Sequence, residues 1–65
     1  MNAIDRIDGG IITCNQILES LEEFRSSVTY SSTAFTINVC MDIVEKNKSS
    51  LKNLKIEELE KLKED

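Results

Sequence analysis

From residue 4 onward, apolar side chains return at alternating intervals of three and four: Ile4, Ile7, Ile11, Cys14, Leu18 and Leu21, with Arg25 and Val28 continuing the register. That spacing places them on one side of an α-helix and predicts a long amphipathic helix. Gly9 and Gly10 interrupt it, because each glycine in a helix interior costs about 1 kcal/mol relative to alanine. The stretch Asp8-Gly9-Gly10 also fits a tight turn between two short extended pieces, "AIDRI" and "IIT". Thr13, followed three positions later by Gln16, matches the reciprocal capping pattern at a helix start. We therefore expect helix over 11–27, with 3–10 as a helical extension and 1–10 as a flexible arm in the alternative. Glu19, Glu22 and Glu23 fall away from Leu18 and Leu21.

The pattern changes at "SSVTYSST", residues 26–33, where six of eight positions are Ser or Thr. Their hydroxyls compete for backbone hydrogen bonds and favour turns and caps. This is the natural hinge of a hairpin, with Ser32 or Thr33 available to cap a second helix.

The stretch after the hinge supports two periods. Phe35, Ile37, Val39, Met41 and Ile43 alternate with Thr36, Asn38, Cys40 and Asp42, as in a half-buried strand. At helical spacing Ile37, Cys40, Met41 and Val44 form a stripe, while Asn38, Asp42 and Glu45 gather on another side. A strand here lacks a partner of equal length in the chain, so the spacing favours helix over about 34–48. "KNKSSLKNL", residues 46–54, reads as a loop or a continuing helix. In the tail "KIEELEKLKED", Ile56, Leu59 and Leu62 recur every third residue, with Glu58 near Lys55 and Lys61. A helix this short is marginal in water and needs something to dock against.

The predicted fold class is all-α, a helical hairpin or three-helix unit, with an α+β arrangement using 35–43 as a strand in the alternative. The 65 residues form a single small domain, whose limited core makes association a natural source of stability. Disulfides and metals are poorer candidates, since there is no histidine and only Cys14 and Cys40 are available. Both cysteines read as reduced core thiols. A homo-oligomer is therefore expected.

Twelve acidic and eight basic residues give a net charge of −4, which opposes direct binding to nucleic acid. No apolar run approaches the length of a membrane span, and the expected location is the cytoplasm. Without histidine the chain lacks the commonest general base and metal ligand. Gly9 and Gly10 belong to no phosphate-binding pattern, and Asp5 with Asp8 is too short a series for a calcium loop. We therefore expect no enzyme activity, no catalytic residue, no cofactor and no metal.

These exclusions point to a small acidic protein–protein interaction module, such as an assembly subunit, a chaperone or an inhibitor of the kind phages and mobile elements encode. Its expected partner interface is Ile4, Ile7, Ile11, Leu18 and Leu21, with Tyr30 as an aromatic anchor at the turn. An acidic surface could also steer a basic partner. The alternative is a dimeric regulator of ribbon-helix-helix type, with "FTINV" as the paired strand and Thr36 and Asn38 facing bases.

Overall fold

A computed structural model describes residues 2–63, which form two antiparallel helices, α1 (Ala3–Ser27) and α2 (Ser31–Lys63), joined by Val28–Tyr30. The hairpin is a thin rod of 55 × 17 × 11 Å. Among the described residues there is no strand.

α1 begins much earlier than the Thr13 cap would place it. Asn2 is the N-cap, in extended conformation, and its side-chain oxygen accepts from the Asp5 amide at 2.8 Å. That bond satisfies one of the free N–H groups of the first turn. Thr13 lies inside the helix, where its hydroxyl donates to the Gly9 carbonyl one turn back, at 2.9 Å. The expected Thr13–Gln16 cap is therefore corrected: a hydroxyl can bond to its own helix as readily as it can cap a new one. Both glycines adopt helical backbone with no positive φ. They are tolerated because the turn around them is held from across the hairpin. A Cβ on Gly10 would stand 3.1 Å from Leu51 Cδ1, and Asp8 pairs with Lys55 Nζ at 2.7 Å.

The Ser/Thr-rich segment ends α1 as its composition implies. The Ser26 and Ser27 hydroxyls donate to the Glu23 and Phe24 carbonyls, each at 2.8 Å, and Val28 turns to extended backbone. α2 starts within the same segment, with the Ala34 amide donating to the Tyr30 carbonyl at 3.1 Å.

Residues 35–43 are helical, which corrects the strand alternative. A helix satisfies every backbone group locally, whereas a strand here would leave a ladder unpaired. The helical choice also aligns Ile37, Met41 and Val44 with the stripe on α1. The seam continues through Lys48, Leu51, Lys55 and Glu58, all less exposed than their neighbours, so the heptad spacing persists through 46–54 without a loop. Lysine stems supply apolar cover while their ammonium groups reach water. The C-terminal segment is the far half of α2 and not a third helix, and the "FTINV" strand of a ribbon-helix-helix dimer is not formed.

The core is thin. Among the described residues only Cys14, 9% exposed, and Ile37, 4% exposed, are buried. Cys40, expected inside, is exposed, and both thiols are free. The pairing of Asp8 with Lys55 and of Arg25 with Asn38 places Cys14 level with Ser49 and Cys40 level with Glu23. The two cysteines are thus about nine residues apart along the rod, or roughly 14 Å at the helical rise. A disulfide needs Cα atoms within about 7 Å, so this fold keeps them apart.

Candidate interaction surface

A two-helix rod turns only one stripe of each helix inward, and everything else meets its surroundings. The expected interface residues Ile4, Ile7, Ile11, Leu18 and Leu21 lie on that inward stripe, half-buried against α2. Their main contact is within the chain. Tyr30 lies apart from them at the turn and is 74% exposed. At the open end of the rod, Ile4 and Leu62 line a shallow cleft with Asn2, Ala3 and Glu58.

The larger surface lies on the two flanks of the seam. Counting 100° per residue, α1 turns Gly10, Thr13, Ile17 and Phe24 to one flank and Asp8, Asn15, Glu19 and Glu22 to the other. α2 likewise turns Thr36, Cys40, Ile43, Asn47, Ser50 and Leu54 to one flank and Asn38, Asp42, Glu45 and Lys52 to the other, with Val39 on its outer back. Because the helices are antiparallel and both right-handed, like flanks meet on the same side of the rod. One broad face is therefore uncharged from Gly10 to Phe24 on α1 and from Thr36 to Leu54 on α2, while the opposite face carries the acids together with the exposed Ile12, Phe35, Ile56 and Leu59.

The contacts across the hairpin agree with this placement. On the charged side, Arg25 donates to Asn38 Oδ1 at 2.7 Å and to Glu22 Oε1 at 2.9 Å. This planar guanidinium uses separate nitrogens for each partner and ties the last turn of α1 to α2. The Asp8–Lys55 pair ties the other end.

On the uncharged side, large apolar groups remain open: Ile17 is 42% exposed, Phe24 54%, Ile43 54% and Leu54 47%. The register sets Phe24 opposite Cys40 and Gly10 opposite Leu54, with Ile17 and Ile43 between those two levels. Large apolar groups gathered open on an uncharged face mark interaction sites. A signal was present in the sequence, since Ile17 and Phe24 are seven apart and Ile43 and Leu54 are eleven apart. Those intervals form a second stripe beside the first. Single-helix periodicity could not tell that the stripes of the two helices share a face.

Among the described residues, no group of three or more Cys, Asp or Glu is placed to hold a metal ion, and no buried side-chain polar atom lacks a hydrogen bond. No helix among them is long and apolar enough to cross a membrane. Comparison of the chain with protein-family models, with curated proteins and with solved structures finds no match in any of the three.

Proposed function

We propose that this chain is a non-enzymatic interaction module that works by presenting its surfaces to other proteins in the cytoplasm, as an assembly subunit, chaperone or small inhibitor does. The observation that supports this reading is the amount of apolar surface left open on the rod, on one face without charge and on the other among acids. An apolar face gives non-directional affinity through area removed from water. An acidic face attracts basic surfaces and repels other acids, which selects partners.

The decisive experiment immobilises the full chain, exposes it to extract of its native host and identifies what is retained. Parallel columns carry a charge-reversed acidic face (Glu19→Lys with Glu22→Lys) or a charged apolar face (Ile43→Lys). The reading requires a protein held by the parent chain and lost from one of these columns, followed by direct titration of that purified protein. Equal retention on all three columns, or none on the parent, would sink it.

A further inference from the structure

We infer that the uncharged face is the contact between two copies of this chain, which pair face to face as a twofold-symmetric dimer of hairpins, a four-helix bundle. The exposed area gives the first argument. A compact folded monomer of 7.4 kDa exposes about 4,200 Å², whereas this hairpin exposes 5111 Å². The excess, about 900 Å², is close to the roughly 800 Å² that each partner buries in a standard stable interface. A rod 55 Å long and 17 Å wide offers a face large enough to bury that area.

Charge gives the second argument. In a twofold contact each patch meets its own copy, so any net charge on it would face like charge. On the opposite face Asp8, Glu19, Glu22, Asp42 and Glu45 would be brought against their own copies. On the contact face the stretch that carries Ile17, Phe24, Cys40, Ile43 and Leu54 bears no charge, so self-contact there removes apolar surface from water without repulsion.

Packing gives the third. Two buried residues among those described are too few for a self-sufficient core, and the seven-residue spacing of the seams is the repeat that left-handed four-helix bundles use. A second copy supplies two further helices with matching periodicity and is present whenever the chain is made. Pairing leaves both acidic faces outward. The inference thus deepens the reading of the chain as an interaction module, assigning the apolar face to the second copy and leaving the acidic face for another protein.

The test measures mass in solution by light scattering and sedimentation over low to high micromolar concentration. The parent chain should weigh two chains, with helical circular dichroism that strengthens as the dimer fills. Ile43→Lys and, separately, Ile17→Lys should shift the mass to one chain. Ile12→Lys, on an equally open position of α1 outside this face, should leave it at two. Because charged variants can lose helix as well as partner, Cys40 of the parent chain provides a second readout. Its reaction with a thiol reagent should slow several-fold as concentration carries the chain into the dimer. A parent mass of one chain throughout, a mass of three or more, or Cys40 labelling that ignores concentration would each overturn the pairing. A parent that stays monomeric yet retains a host protein through its acidic face defeats only the pairing; a dimer that retains nothing defeats only the functional reading.

Discussion

The two adjacent glycines of α1 make a sharp test, because the fold assigns them opposite environments. Gly9 is exposed, and a Cβ there meets nothing within 4 Å. Gly9→Ala should therefore gain the full difference in helix propensity, about 0.5–1 kcal/mol. Gly10 faces α2, and its new Cβ would lie 3.1 Å from Leu51 Cδ1 and 3.8 Å from Cδ2. The same propensity gain is then set against overpacking, which costs about 1–3 kcal/mol in a closed site. Leu51 is half-buried and can shift by a few tenths of an ångström, so the cost belongs at the low end. Gly10→Ala should be near neutral or mildly destabilising, leaving the two variants about 1 kcal/mol apart. In a domain this small that separates their midpoints by about 4–8 °C. The assay is thermal and urea unfolding tracked by helical circular dichroism, all at one protein concentration because association shifts the midpoint. Equal stabilisation by both substitutions would refute the close approach of Leu51. A Gly9→Ala variant no more stable than the parent would refute helix at this position.

The remaining contacts give three further expected outcomes. Ile37 is the most buried side chain, and Ile37→Ala should cost about 2–4 kcal/mol, enough to leave so thin a fold largely unfolded by circular dichroism at room temperature. Asp8→Asn removes the partner of Lys55, but the pair is 39% and 37% exposed; the loss in urea titration should stay below about 1 kcal/mol and shrink in high salt. Arg25→Ala should cost about 1 kcal/mol by removing two hydrogen bonds and the packing of the stem, and hydrogen exchange should show the last turn of α1 opening faster.

The periodicity of the chain was sufficient to determine its inner stripe. Ile4 through Val28 recur at three and four, and a regular helix has one side on which such residues can meet. The hinge was equally legible, because serine and threonine hydroxyls bond back to the carbonyls that end a helix whatever lies elsewhere. The acids Glu19, Glu22, Asp42 and Glu45 could be set opposite the apolar positions for the same reason. Residues 35–43 could not be decided locally, since their side chains satisfy a period of two and a period of 3.6. The antiparallel partner decided them by offering Ile37, Met41 and Val44 a seam that a strand could not use.

The same neighbour carried α2 through "KNKSSLKNL", where lysine stems and Leu51 keep the register that the polar composition conceals. It also kept Gly9 and Gly10 helical, through Leu51 and Lys55 on the facing helix. Above all, the union of two half-stripes into one uncharged face is a tertiary property. Ile17 and Phe24 lie on one helix, Cys40, Ile43 and Leu54 on the other. Only the antiparallel pairing, with its register set by Asp8–Lys55 and Arg25–Asn38, brings them to the same side of the rod.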